Sequence, residues 1–289
     1  MKPAPFAYRR PDTLQQALAD LAGEPDAKVL AGGQSLVPLL SMRLAAPALL
    51  VDINGLPGLA EIVVTDAGVR VGALARHADV LSSSEARRVQ PLLAMALQHV
   101  AHATIRNRGT TVGSIVHADA AAEMPVVLTL LGGSVDVEST AGPRTIPAEE
   151  LFLGPLESSL RPDEIALSAY FPALPEGAGV AFDEIARRHG DYALCGVAAL
   201  VRLEGDRVVE ARAGYVSVNE LPTVLDLTAD LAGVVDEASL AASAETAVAQ
   251  LEPDGDIHAT PEYRAQLVRV LTSRVLRAAY EDACERNAR

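Results

Sequence analysis

The sequence predicts an α+β protein that holds parallel and antiparallel sheets in separate parts of the chain, and three observations support this. Two short apolar runs, residues 28–30 and 49–53, enclose a helical segment, which is the pattern of a parallel β–α–β unit. Residues 59–74 alternate around a glycine turn, as an antiparallel hairpin does. The last third of the chain has two strands followed by two long helices, so we expect a C-terminal domain of small antiparallel sheet and helices.

Composition and charge exclude several classes of function. The chain has 289 residues, of which 49% are hydrophobic, and this size predicts more than one hydrophobic core. Its formal net charge of −14 disfavours nucleic acid and anionic membranes as partners. No apolar run approaches the ~18 residues of a membrane span. The two cysteines, Cys195 and Cys284, are too few for a disulfide framework or an iron–sulfur cluster, so we expect a cytoplasmic protein.

Helix signals divide the chain further. Thr13 followed by Gln16 is a capping-box pattern before an apolar stripe. Helices are expected at residues 75–81, 92–101 and 126–131, with a strand at 134–138. At the C-terminus we expect strands at 193–203 and 208–218 and helices at 236–251 and 261–283. Thr260 as N-cap and Pro261 at the first helical position mark the last helix. Its predicted core face consists of Tyr263, Leu267, Val270, Leu271 and Val275.

The most informative stretch is residues 31–38, AGGQSLVP, between the first apolar strand and a helix predicted to bury Leu40 and Leu44. Two glycines let the backbone approach a ligand, and the helix start leaves N–H groups without partners. This pattern is typical of an anion-binding loop that could hold a diphosphate, although an ordinary tight turn has the same pattern. It matches neither the Walker loop nor the GxGxxG fingerprint, which disfavours a nucleotide triphosphatase and a Rossmann dehydrogenase.

A second loop, residues 106–114 with the sequence RNRGTTVGS, continues to His117-Ala118-Asp119. Together the two loops resemble the flavin-binding motifs of the FAD-carrying medium subunits of molybdenum hydroxylases, whose type member is the carbon monoxide dehydrogenase flavoprotein. That family usually has RNRGTVGGSLAHADPAAELP where this chain has RNRGTTVGSIVHADAAAEMP. The resemblance continues through RRHGDYA at residues 187–193 and covers nearly the whole chain. It implies a two-lobed FAD-binding domain of the PCMH type, similar to vanillyl-alcohol oxidase.

The resemblance also implies the residues that contact FAD. In the first loop these are Ala31, Gly32, Gly33, Gln34, Ser35 and Leu36, and in the second they are Thr110, Thr111, Gly113 and Ser114. Asp119 is expected either to cap a helix or to accept hydrogen bonds from FAD hydroxyls. Tyr192 is expected beside the isoalloxazine ring, and Ile165 either near that ring or in the core. The sequence shows no catalytic acid–base cluster, and His117, Asp119 and Glu123 lack the spacing of a metal site.

One departure from the family pattern bears on cofactor binding. Val112 stands where the family usually has a glycine, and a β-branched residue there would weaken FAD binding if the position required positive φ. The expected function is an FAD relay that takes electrons from an iron–sulfur small subunit beside a molybdopterin large subunit and delivers them to an external acceptor. The open alternatives are a self-contained flavoenzyme on the same fold and a structural subunit that has lost FAD through Val112.

The expected domain organisation follows from the same pattern. An FAD-binding domain is expected at residues 1–175, with lobes at about 1–55 and 56–175, and a C-terminal flavoprotein domain at 176–289. The stretch 174–179, LPEGAG, is the linker that the composition favours, because proline and glycine interrupt regular structure there.

Overall fold

The computed structural model describes residues 2–288, and its first part is a small parallel sheet with strand order β1-β3-β2. The predicted β–α–β unit is present, and an additional strand precedes it. Its elements are β1 (Ala7–Arg9), α1 (Leu14–Gly23), β2 (Ala27–Leu30), α2 (Leu36–Met42), β3 (Leu49–Asp52) and a 3₁₀ turn (Ile53–Gly55).

Helix α1 begins where its sequence predicts. The Thr13 hydroxyl accepts a hydrogen bond from the Gln16 N–H at 3.2 Å, which satisfies one of the free donors of the first turn. The Gln16 side chain accepts instead from the Asp12 N–H at 3.1 Å, one residue before the N-cap. The helix buries Leu18 and Leu21 against the sheet, as the spacing predicts.

The second part is a five-stranded antiparallel sheet with order β4-β5-β10-β6-β7, covered by short helices. One row of apolar residues crosses all its strands in register: Ile62, Val71, Ala169, Val135 and Ile146. The elements are β4 (Ile62–Thr65), β5 (Gly68–Gly72), α3 (His77–Ser82), α4 (Ser84–Val89), α5 (Pro91–Leu97), α6 (Ala103–Arg106), α7 (Thr111–His117), α8 (Glu123–Leu130), β6 (Ser134–Ser139), β7 (Gly142–Pro147), α9 (Ala148–Leu151), β8 (Phe152–Gly154), β9 (Glu157–Ser158) and β10 (Ile165–Pro172).

The third part is a four-stranded antiparallel sheet in sequence order, with helices after it. Its elements are β11 (Ala178–Ala186), β12 (Ala193–Glu204), β13 (Arg207–Val216), β14 (Thr223–Asp226), α10 (Thr228–Leu231), α11 (Glu237–Gln250) and α12 (Pro261–Asn287). The predicted cap of the last helix is present, since Thr260 accepts a hydrogen bond from an N–H group of its first turn. Asp236, which was expected to begin α11, caps that helix instead.

Helices cover both faces of this third sheet, and glycines stand at the closest contacts. A Cβ on Gly179 would lie 2.3 Å from the Ala279 carbonyl oxygen in α12, and one on Gly214 would lie 2.6 Å from Val126 in α8. The face towards α8 shares one apolar core with the second sheet, which includes Ala198, Leu200 and Val216. The second and third sheets are therefore joined by a continuous apolar interface.

The structure corrects several predictions. Leu44 is 73% exposed, because Arg43 adopts a left-handed conformation with φ of 60° that ends α2 before it. Tyr263 and Val270 are exposed on α12, whereas Leu267, Leu271 and Val275 are buried as expected. Helix α4 and strands β10 and β11 were not predicted.

Among residues 2–288, no helix combines the length and the apolar character that a bilayer crossing requires.

Gly179 provides a direct test of how closely α12 packs. We expect Gly179→Ala to destabilise the protein by about 1–3 kcal/mol or more, because the added methyl group meets helix backbone rather than a mobile side chain. The midpoint of urea unfolding measures this change. Gly233→Ala is the matched control, because nothing lies within 4 Å of a Cβ at that position. Equal midpoints for the two variants would contradict the close packing.

Candidate functional site

The first loop leaves a row of backbone donors without partners. It connects β2 to α2, and Gly33 has φ of +72°, a conformation that favours glycine. Within the described chain, the N–H groups of residues 32–36 donate to no protein acceptor, and the α2 ladder starts with the Val37 N–H on the Gly33 oxygen at 3.0 Å. Consecutive free N–H groups at a helix start form a concave site that attracts an anion.

Gly32 brings this loop into contact with the second loop. A Cβ on Gly32 would lie 2.5 Å from the Arg108 carbonyl oxygen, 2.8 Å from the Gly109 Cα and 3.0 Å from the Thr110 nitrogen. Only glycine allows that approach. Gly32 and Arg108 lie 76 residues apart in the sequence (108 − 32), and the two loops therefore form one surface.

Two side chains that the sequence analysis did not single out hold the loops together. The Asn54 amide donates to the Ala31 carbonyl oxygen at 2.8 Å, and its own oxygen accepts from the Arg76 guanidinium at 2.7 Å. The second terminal nitrogen of the Arg76 guanidinium donates to the Arg108 carbonyl oxygen at 2.5 Å. The Asp52 carboxylate accepts the Asn54 backbone N–H at 2.9 Å. It also accepts the Asn54 side-chain amide at 2.7 Å, which fixes the orientation of that amide. We call Asn54 and Arg76 the loop clasp.

The second loop ends in helix α7, which is built around Thr110. The Thr110 hydroxyl accepts a hydrogen bond from the Gly113 N–H at 3.1 Å. A Cβ on Gly113 would lie 2.5 Å from that hydroxyl oxygen, so a side chain there would require the Thr110 side chain to shift. Ser114 follows on the first turn, with its N–H on the Thr110 carbonyl oxygen.

Val112 occupies a core position in the same helix. It is 1% exposed, packs in the core of the second sheet, and is absent from the residues with positive φ. The concern that a β-branched residue would strain the loop therefore has no basis in this geometry. The side chain points into the apolar core.

Thr111 and His77 support the loop from behind. Thr111 is fully buried, its N–H donates to the Ala75 carbonyl oxygen, and its hydroxyl lies 3.2 Å from His77 Nδ1. Burial, with a smaller contribution from Arg106, lowers the pKa of His77 to about 4. The imidazole is therefore neutral at neutral pH, and its ring packs on Gly109.

Asp119 follows α7 in the chain, and Tyr192 directly precedes β12. The Asp119 carboxylate accepts the Ala121 N–H at 2.9 Å, so it stabilises the turn before α8, whose N-cap is Ala122. The Tyr192 ring is 68% exposed. Loss of hydration around its hydroxyl, followed by the charges of Asp119 and Glu123, raises the Tyr192 pKa.

Ile165 is placed differently from the other predicted contacts. It is 1% exposed and belongs to the core shared by the first and second sheets, with Ala73 and Leu74. Its position matches the core alternative. Within residues 2–288, no group of three His, Cys, Asp or Glu side chains is arranged to hold a metal ion.

Comparison with known proteins identifies the family. The family model described as "FAD binding domain in molybdopterin dehydrogenase" matches residues 4–174. A second, described as "CO dehydrogenase flavoprotein C-terminal domain", matches residues 180–279.

Individual proteins agree over the full length. The chain is 42% identical to the 6-hydroxypseudooxynicotine dehydrogenase complex subunit alpha of Paenarthrobacter nicotinovorans, over 98% of this chain and 97% of that protein. It is 32% identical to the carbon monoxide dehydrogenase medium chain of Hydrogenophaga pseudoflava, over 97% and 99% of the two chains.

A solved structure of quinoline 2-oxidoreductase from Pseudomonas putida 86 has a TM-score of 0.92 at 38% identity, and covers 98% of this chain and 99% of that chain. The predicted fold class and the predicted family are confirmed. The chain therefore belongs to the FAD-binding medium subunits of molybdopterin-dependent dehydrogenases, a family of oxidoreductases.

Proposed function

We propose that this chain is the electron-transfer subunit of a molybdenum hydroxylase and that its two loops hold the FAD diphosphate. The observation that carries this proposal is the row of free N–H groups at residues 32–36, kept against the second loop by Gly32. Such donors complement a diphosphate without any positively charged side chain. FAD, when bound, would accept electrons and pass them on, while the protein supplies position and electrostatics.

The residues divide into direct contacts and supports. We propose that the N–H groups of the first loop contact the FAD diphosphate, that Thr110, Gly113 and Ser114 line its other side, and that Asp119 and Tyr192 contact other parts of FAD. The direct contacts in this proposal are Ala31, Gly32, Gly33, Gln34, Ser35, Leu36, Thr110, Gly113, Ser114, Asp119 and Tyr192. Thr111 and Ile165 are buried, so they would act by shaping the walls of the site.

The proposed assembly is a cytoplasmic heterotrimer. A molybdopterin-binding large subunit would oxidise the substrate. An iron–sulfur small subunit would carry the electrons to FAD, and FAD would deliver them to an external acceptor. In this chain we assign FAD binding to a domain of residues 1–175, with lobes at about 1–55 and 56–175. We assign contacts with the partner subunits to both this domain and the C-terminal domain of residues 176–289. The quinoline, nicotine-derived and carbon monoxide substrates named for the relatives indicate that the substrate class varies within the family.

The first test is the visible spectrum of the purified chain. We expect a flavin spectrum and the release of FAD on denaturation, with a strong loss of FAD in Gly32→Ala. The added methyl group would push the loops apart, and a hundredfold weaker affinity corresponds to about 2.8 kcal/mol. Gly233→Ala, on an exposed segment, is the control. A colourless chain that also fails to bind added FAD would overturn the proposal.

The loop clasp makes a second prediction. Arg76→Met removes two hydrogen bonds from a charged donor, each worth about 1.5–3 kcal/mol, so we expect FAD affinity to fall at least tenfold. Arg76→Lys should not restore it, since one ammonium cannot span both acceptors. Titration of FAD fluorescence measures the affinity. Arg88→Met on the exposed side of α4 should bind FAD normally, and an equal loss there would show that the effect is one of general charge.

Val112 distinguishes the proposed relay from a subunit that has lost FAD. Because its side chain fills the core, we expect Val112→Gly to destabilise the protein by about 2–4 kcal/mol without improving FAD binding. Val112→Ala should lose less stability and keep its FAD. Thermal unfolding and FAD titration on the same samples measure both effects. Tighter FAD binding in Val112→Gly would favour the alternative of a structural subunit.

A further inference from the structure

A cleft lies between α3, α4 and α5 of the second part and the C-terminal end of α12. Its volume is about 610 Å³, which lies within the ~300–1,000 Å³ of typical binding clefts. Leu81, Pro91, Ala94 and Met95 supply the apolar part of its lining, which we call the apolar floor. Leu81 and Met95 also pack against the core shared by the second and third sheets, so the floor is held in place. None of the proposed FAD contacts lines this cleft.

Three arginines supply the charge of the cleft: Arg87 and Arg88 from the last turn of α4, and Arg286 from the last turn of α12. Among residues 2–288, no lysine, aspartate or glutamate lines it. The helix dipole favours an arginine at each helix end, but it does not explain why the ends of two helices from different parts of the chain meet at one cleft. The chain carries a net charge of −14, so this cleft is opposite in sign to the protein as a whole.

Hydrogen bonds hold two of the three guanidinium groups in position. Arg87 donates to the Leu81 carbonyl oxygen at 3.0 Å. The Arg286 Nε donates to the Asp282 carboxylate at 2.8 Å, and the same carboxylate oxygen accepts the Val180 N–H of β11 at 3.0 Å. Groups that are already ordered lose less conformational freedom when they bind a partner, so more of the contact energy remains as affinity.

The composition of the cleft favours a protein partner over a small anion. Protein interfaces are enriched in arginine and methionine and depleted in lysine, aspartate and glutamate, and the lining of the cleft follows that pattern. Arg87 and Arg88 are exposed, and an exposed arginine gains little from one small anion because water screens the pair. A polypeptide segment can place an apolar side chain on the apolar floor and carboxylates beside the arginines, so it would use both kinds of lining.

We propose that the cleft docks a segment of a partner subunit in which acidic residues flank an apolar side chain. This inference rests on the proposed function, because it requires an assembled complex. The carboxylates would pair with the arginines, and the apolar side chain would cover Ala94 and Met95. Because the chain as a whole is acidic, such a segment is attracted to this cleft and repelled elsewhere, which fixes the orientation of the partner. The docked segment would also connect the second part of the fold to α12.

Charge reversal at Arg88 tests the arginine side of the cleft. The chain is produced together with the large and small subunits of its complex, and their association is measured by size-exclusion chromatography over a range of concentrations. We expect Arg88→Glu to weaken association at least tenfold, and added salt to weaken the wild type more than the variant. Lys28→Glu, the same charge change on an exposed residue of β2, is the matched control and should associate like the wild type. An equal loss in both variants would overturn the inference.

Ala94→Lys tests the apolar floor with the opposite sign of charge. Ala94 is partly exposed on α5, and lysine is a good helix former, so thermal unfolding should show an intact fold. A docked segment would lose its apolar contact, so we expect weaker association even though the cleft becomes more positive. Tighter association would show that charge alone attracts the partner, and would overturn a docked segment with an apolar side chain.

The remaining outcomes separate this inference from the proposed function. Arg88→Glu should keep its FAD, because the cleft and the two loops share no residue. If the wild type assembles and Arg88→Glu assembles equally well, the docking cleft is overturned and the proposed function stands. A wild-type chain that does not associate with the other subunits would overturn both. If the chain alone forms a dimer that Arg88→Glu separates, the occupant is a second copy of this chain, and the partner segment is overturned.

Discussion

The contact between Gly32 and the backbone of residues 108–110 is the constraint on which the site depends. The first loop belongs to the parallel sheet and the second precedes a helix on the antiparallel sheet, so their common surface exists only when the two are docked. Asn54 and Arg76 reinforce this approach with hydrogen bonds to carbonyl groups on both sides. Without a side chain at residue 32, backbone meets backbone, and the loops cannot slide past each other without losing these bonds.

Apolar packing far from the loops sets the same geometry. Ile165 packs in one core with side chains of both the first and the second sheet, and thereby fixes their relative position. The third sheet shares a second core with α8 through residues such as Val216, which fixes the position of the third sheet relative to the second. Each sheet supplies part of the site. A substitution in a remote core should therefore displace residues of the site, although the substituted residue itself touches no ligand.

Local sequence signals predicted local structure well. Thr13 and Thr260 cap the helices they precede, as predicted, because a cap needs only residues a few positions apart. Contacts over long separations could not be read in the same way. The partners of Arg76 lie 22 and 32 residues away in sequence, and nothing in either segment indicates the other. The prediction that Leu44 is buried failed for a different reason. Arg43 adopts a left-handed conformation, which ends the helix and leaves Leu44 in solvent.

Glu123 shows which residues escape pattern reasoning altogether. A glutamate at the first position of a helix reads as a favourable charge at the positive end of the dipole, worth about 0.3–1 kcal/mol. That is less than one pKa unit, whereas burial and the neighbouring carboxylates move the Glu123 pKa from 4.5 to about 8. Tertiary structure therefore reverses the local preference, and the helix begins with a neutral acid.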